Sequence, residues 1–205
     1  MAFLSDQDRQ RIRAAIEAAE RRTRGEFVTV IAREADDYLY IPILWAALIA
    51  LLIPALDQFV NQPWLNAHIY TTQVVSFVLI AVVFRLPAIK HRLIPKSVQH
   101  QRAHRIALEQ FLLQNLHATQ EGTGVLLFVS VAEHYVEIIA DKGINDRAAP
   151  GSWDSLVSDF VAQVRRGRIA DGFVQAIEGC GDLLEAHFPA TGGDRNELPD
   201  HLIEL

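Results

Sequence analysis

Hard oxygen donors gather at two places along this chain. Asp141, Asn145 and Asp146 fall in one turn-rich stretch, Asp141-Lys142-Gly143-Ile144-Asn145-Asp146, and carboxylate and amide oxygens at that spacing suit calcium or magnesium. Glu26 joins them if the strand it opens lies beside the strand that ends at Asp141. The second set is Asp36, Asp37, Glu133 and His134, a carboxylate pair from one segment with a carboxylate and an imidazole from another. His100 and His104 stand four residues apart, which puts both rings on one helix face, but no acidic third ligand accompanies them in the sequence. Nucleophilic chemistry has less to draw on. The chain holds no Walker loop, Gly-x-Ser-x-Gly, His-Glu-x-x-His or Cys–His pair. Its one cysteine, Cys180, falls on an apolar helix stripe where packing is the expected role.

An α/β pattern must position these groups. Residues 6–22 predict a helix capped by Ser5, with Asp8 three residues on completing a capping box, and with Gly25 ending it in a left-handed conformation. Glu26-Phe27-Val28-Thr29-Val30-Ile31-Ala32 reads as a strand. A helix is expected from Lys96 to Leu116, with Val98, Ala103, Ile106, Ala107, Phe111, Leu112 and Leu113 on its buried side. Val125 to Val131 is a near-continuous apolar strand of the kind covered on both faces. Ala132-Glu133 turns the chain into an alternating strand, His134 to Ala140. Ser152 should cap a helix over 153–166 that Gly167 closes, and Ala170 to His187 should form the last helix. Residues 190–205 are polar, include Gly192 and Gly193, and are expected as a flexible tail.

The first two strands, separated by a long connection, should run parallel, and the second and third should form an antiparallel hairpin. The expected class is α/β, a small Rossmann-like sandwich with a mixed sheet. Strand direction then sorts the donors. Asp36, Asp37, Glu133 and His134 share the edge past the carboxyl ends of the parallel strands, where open α/β sheets bind ligands. Glu26, Asp141, Asn145 and Asp146 share the opposite edge.

A long apolar insertion interrupts this pattern. No charge occurs from Tyr38 to Leu56 or from Ile69 to Phe84, and about 18 or more apolar residues suffice to cross a hydrocarbon core. A two-helix transmembrane hairpin over residues 38–86 is expected, splitting one discontinuous domain into residues 1–37 and 88–189. Trp45, Trp64, Tyr38, Tyr40 and Tyr70 lie near its ends, where aromatic rings favour the interface. The connection from Asp57 to His68 has no Lys or Arg, whereas Arg21, Arg22, Arg24 and Arg33 precede the hairpin and Arg85, Lys90, Arg92, Lys96 and Arg102 follow it. The positive-inside rule places both termini in the cytoplasm. Residues 1–32 lack the central apolar run of a signal peptide, so insertion is expected to rely on the hairpin. The partners this implies are the lipid bilayer and other membrane proteins.

Composition agrees with a modest domain beside an apolar insertion. Of 205 residues, 50% are hydrophobic, and the mean hydropathy is +0.13. Removing the hairpin leaves about 150 residues, enough for one core. A net charge of −6 argues against nucleic acid as a general partner. One cysteine excludes an internal disulfide and suits a reducing compartment.

Several segments together resemble the TPM domain, a family with thylakoid, bacterial and nematode members. Thr23-Arg24-Gly25-Glu26-Phe27-Val28-Thr29-Val30 is similar to the family's helix-to-strand signature. Gly124-Val125-Leu126-Leu127-Phe128-Val129 resembles its Gly-led apolar strand, and His134 to Ile144 its following strand and glycine-containing loop. Asp171-Gly172-Phe173 with Ala176-Ile177 resembles its closing helix. The resemblance covers residues 5–33 and about 96–188. It implies a Rossmann-like α/β fold, and in thylakoid members phosphatase activity and divalent-metal binding; other members act as accessory factors for membrane complexes. The chain departs from the usual pattern by carrying its apolar hairpin inside the domain. The apolar hairpin built into the domain, together with the lack of a complete catalytic set, points to a two-pass protein of the bacterial inner (cytoplasmic) membrane that serves as a non-enzymatic accessory, assembly or quality-control module for membrane proteins. The alternative is a metal-dependent phosphatase acting on a phosphomonoester.

Overall fold

A computed structural model of the chain describes residues 4–55, 63–119, 121–148, 151–190, 198 and 202–205. They form two compact units, one from Met1–Ala35 and His100–Leu205, the other from Asp36–Gln99.

Four strands organise the first unit: β1 (Glu26–Ala32), β2 (Gly124–Ser130), β3 (Tyr135–Ala140) and β4 (Leu202–Glu204). Their order in the sheet is β3-β2-β1-β4. β1 and β2 run parallel over all seven residues, from Glu26 opposite Gly124 to Ala32 opposite Ser130. β2 and β3 are antiparallel, as their short connection requires. Every residue of β1 and β2 is buried, which explains their predominantly apolar character.

Helices cover both faces. On one face α1 (Asp6–Glu20) lies with two helices near the C-terminal end of the sequence, Asp154–Arg165 and Ile169–His187. Ile12, Ile16, Phe160, Phe173 and Ile177 pack there against Phe27, Ile31 and Leu127. On the other face the helix Lys96–Leu113 brings Ala103, Ala107 and Phe111 onto Val28, Val30, Leu126 and Phe128. Each fully buried side chain of this size stabilises the fold by about 1.5–3 kcal/mol.

Local signals explain most of the boundaries. The expected capping box is present: Ser5 Oγ accepts from the Asp8 N–H and Asp8 Oδ2 from the Ser5 N–H, each at 3.1 Å. Gly167 adopts φ +74 where the helix before it ends. Gly25 serves a different purpose from the expected left-handed cap. A Cβ there would stand 2.5 Å from Leu184 Cδ1, so the glycine admits the last helix at close range. The N-cap of helix Asp154–Arg165 is Trp153, without a side-chain cap hydrogen bond, rather than Ser152. Leu112 and Leu113, expected inside, are exposed because they close the helix beyond the edge of the sheet-facing stripe. Residues 202–204, expected within a loose tail, form β4, because the open edge of β1 offers them a partner.

The second unit contains α2 (Tyr40–Leu51), α3 (Pro63–Phe84) and α4 (Pro87–Leu93), and the helix Lys96–Leu113 (α5) begins in it. α2 packs against α3. Tyr38, Ile41 and Ile94 form a small core of their own. Tyr38 takes a positive φ of 50, its N–H donates to Asp36 Oδ1 at 3.0 Å, and Lys90 Nζ lies 5.9 Å from its ring centroid. The buried Gln99 amide donates to the carbonyls of His91 at 2.8 Å and Ile94 at 3.1 Å, fixing the corner between α4 and α5.

No helix among the described residues is long and apolar enough to cross a membrane. α2 has 12 residues and stops in a turn at Leu52 before residues 53–55 become helical again. α3 is interrupted at His68, whose φ of −123 and ψ of 19 are not helical. At 1.5 Å per residue, α2 rises about 18 Å and the run 69–84 about 24 Å, short of a core about 30 Å thick. In place of the expected transmembrane hairpin, the described residues form a helical hairpin whose arms are too short to span such a core. Its connection from residue 56 to residue 62 lies outside the described residues, as do Gly192 and Gly193.

Candidate functional site

The edge past the carboxyl ends of β1 and β2 is closed by Glu133. This carboxylate is buried. Its Oε1 accepts from the Ala35 N–H at 3.2 Å and its Oε2 from the Ser130 hydroxyl. Val131 N–H to the Ala32 carbonyl, at 3.0 Å, and Ala132 N–H to the Arg33 carbonyl, at 3.1 Å, extend the parallel ladder past the strands. His134 turns the chain into β3 with a φ of 51 and is exposed. Asp36 and Asp37 belong to the second unit. There Asp36 Oδ1 holds the Tyr38 N–H, and the Asp37 carbonyl accepts from Lys90 Nζ at 3.3 Å.

The opposite edge carries the other four donors, as strand direction required. Glu26 N–H donates to the Thr123 carbonyl at 3.1 Å and Asp141 N–H to the Gly124 carbonyl at 2.9 Å, so three segments meet side by side. Asp141 is the N-cap of the short α6 (Lys142–Asn145), its Oδ1 accepting from Lys142 N–H at 2.6 Å. Asn145 donates its amide back to the Ala140 carbonyl at 2.7 Å. Asp146 follows as the exposed C-cap. Glu26 Oε2 accepts from the Leu198 N–H at 3.2 Å. Among the described residues no three His, Cys, Asp or Glu side chains gather as metal ligands would. Of the four, the Asp141 and Glu26 carboxylates each accept from a backbone N–H, that of Lys142 and that of Leu198.

A third cluster was only half legible in the sequence. His100 and His104 do share a face of α5, but different residues of β3 receive them. His104 Nδ1 lies 2.7 Å from Glu137 Oε1, and the His100 ring meets Tyr135 at 5.2 Å between centroids. The Tyr135 hydroxyl donates to Glu137 Oε2 at 3.0 Å. Burial, then the neighbouring Glu137 carboxylate, holds the Tyr135 hydroxyl well above the usual phenol range, so it stays a donor. Alternation in β3 was the available signal, since Tyr135, Glu137 and Ile139 must share one face. Cys180 is fully buried, and desolvation pushes its thiol up to about 12, which leaves it inert at neutral pH.

With this geometry in view, residues 92–183 match the model of the TPM domain family. The match begins after the helical hairpin and takes in α5, β2, β3, α6 and most of the closing helices. No curated protein matches the chain. Among solved structures, the chain is similar in fold to the BA42 protein from the psychrophilic bacterium Bizionia argentinensis, determined by NMR. That likeness covers 100% of this chain and 97% of that one, with 20% identity and a TM-score of 0.64, and it concerns the fold.

Proposed function

We propose that the helical hairpin of the second unit enters a lipid bilayer from the cytoplasmic side, and that the α/β unit works there as a binding or assembly module for other membrane proteins. One observation carries the reading: the outward faces of the hairpin are apolar and uncovered. Leu44, Leu48 and Leu51 of α2 and Val74, Val78 and Val82 of α3 are each 45–65% exposed. Soluble monomers seldom leave contiguous apolar patches beyond a few hundred Å² open to water. A bilayer covers such a surface on all sides at once.

Charge supports the same placement. No charged side chain occurs between Ile69 and Phe84, while Arg85, Lys90, Arg92 and Lys96 follow directly, where cations favour an anionic cytoplasmic leaflet. Exposed Tyr40, Trp45 and Tyr70 suit the interface. Entry from that side leaves both termini in the cytoplasm whether the hairpin crosses fully or turns within the core.

Flotation with liposomes containing anionic lipid tests the anchor. The full chain should float, and a variant with residues 38–95 replaced by a Gly/Ser linker should stay in the dense fraction. A full chain that remains unbound, or a linker variant that floats equally well, contradicts the reading.

A further inference from the structure

We propose that the outer edge of β1 is an interaction surface for an extended segment of another polypeptide, and that residues 202–205 occupy it as an internal stand-in. The partner segment runs parallel to β1 and carries two apolar residues followed by an acidic one. The proposal rests on the reading of the α/β unit as a binding module, and it gives that module a place and a ligand chemistry.

The stand-in displays the recognition. Thr29 lies opposite Leu202, Val30 opposite Ile203 and Ile31 opposite Glu204. The Leu205 N–H donates to the Ile31 carbonyl at 2.9 Å, and the Arg33 N–H to the Leu205 carbonyl at 3.1 Å. Main-chain pairing of this kind supplies affinity in strand addition, and alternate side chains supply selectivity. Leu202 packs into the core under α1, whereas Ile203 packs into the core under α5. Two apolar sockets on opposite faces thus read consecutive residues. Glu204 is read by Arg9, whose Nε donates to Glu204 Oε1 at 2.8 Å while Asp6 holds the same guanidinium at 2.6 Å.

The occupant is weakly held compared with the rest of the sheet. β4 pairs three residues with β1, whereas β2 pairs seven. Leu202 and Ile203 are only half-buried and Glu204 is exposed. An ion pair open to solvent adds little. Short ladders on few buried contacts open at lower cost than core strands. Once open, β1 presents a row of unpaired backbone N–H and C=O groups flanked by buried apolar side chains, which is a template for another strand.

The experiment uses the full chain in detergent micelles, a variant lacking residues 198–205, and two labelled peptides. One peptide has the sequence of residues 196–205, and the other carries Leu202→Asp and Ile203→Asp. The native peptide should bind the shortened variant at least about tenfold more tightly than the full chain, because an occupied edge lowers apparent affinity by its open fraction. Arg9→Ala in the shortened variant should weaken that binding, and the doubly substituted peptide should not bind. In the full chain, the Leu205 and Arg33 amides should exchange hydrogen faster than those of the β2–β3 ladder. Exchange as slow as in that ladder, a shortened variant that fails to fold, or equal binding of both peptides would each overturn the proposal. Liposome flotation of the full chain, run in parallel, reports failure of the membrane reading separately.

Discussion

The carboxylate of Glu133 accepts the Ala35 N–H at 3.2 Å while also accepting the Ser130 hydroxyl. One buried side chain thereby ties the turn after β2 to the segment leaving β1. Glu133→Ala strands a backbone donor and a buried hydroxyl, and unsatisfied groups of this kind cost about 1–3 kcal/mol each. Urea unfolding should show that loss, with Glu133→Gln falling between the variant and the parent. An unchanged midpoint for Glu133→Ala would mean the clasp carries no stability.

Gly143 is required by packing rather than by its backbone angles. A Cβ at this position would lie 2.4 Å from the Glu121 carbonyl oxygen and 2.6 Å from that of Gly122. Gly124 is similarly confined, 2.4 Å from the Leu116 carbonyl oxygen. Gly143→Ala and Gly124→Ala should each destabilise the α/β unit by about 1–3 kcal/mol through overpacking. Gly172→Ala presses instead on the Phe160 ring at 2.7 Å, a side chain that can shift, and should cost less. Thermal melts of the three variants give the order.

Thr29 Oγ1, buried in the centre of β1, has no hydrogen-bond partner among the described residues. Valine matches its shape without the stranded hydroxyl. Thr29→Val should therefore raise stability by about 1 kcal/mol, seen as a higher denaturation midpoint with an unchanged slope.

Reading the sequence located three of the four strands and their directions, because β1 and β2 are long apolar runs and the β2–β3 turn is short. β4 escaped it. Leu202-Ile203-Glu204 is too short to show a period, and its strand conformation comes from the edge of β1 rather than from its own residues. The hairpin was legible as apolar, and Pro54, which lacks a helical donor, stands two residues past the turn at Leu52, whereas the break at His68 has no such residue beside it. For the candidate sites, strand direction sorted Glu26 and Asp141 to one edge correctly. What those oxygens bind depends on which backbone N–H groups the loops present. The pairing of His104 with Glu137 needed α5 to be seen lying over β3, a tertiary fact.

The Cys180 thiol, raised from 9.0 to about 12 by burial, links stability to alkaline pH. A folded state that favours the protonated thiol loses its advantage once the unfolded chain ionises. Stability should hold below pH 9 and fall as pH rises through 9 toward 12. Cys180→Ala, compared across that window, should remove its share of the decline. At pH 7–8 alkylation of Cys180 should proceed only as fast as the domain opens.

The α/β unit should outlast removal of the hairpin. Its two sheet-covering cores draw on residues before Ala35 and after His100, and loop closure grows only with the logarithm of linker length. Replacing residues 38–95 by about 15 Gly/Ser residues should leave a cooperative melt. A broad, uncooperative transition would show that the second unit is needed for folding.

The central claim is that the hairpin lies in lipid, and Trp45 reports on it most directly. With Trp64→Phe and Trp153→Phe, Trp45 is the sole emitter in the chain, placed on the exposed face of α2. In vesicles made with acyl-chain-brominated lipid, its emission should shift to the blue and be strongly quenched. Emission like that of tryptophan in water, unaffected by bromine while the circular dichroism of the folded chain is retained, would contradict the account.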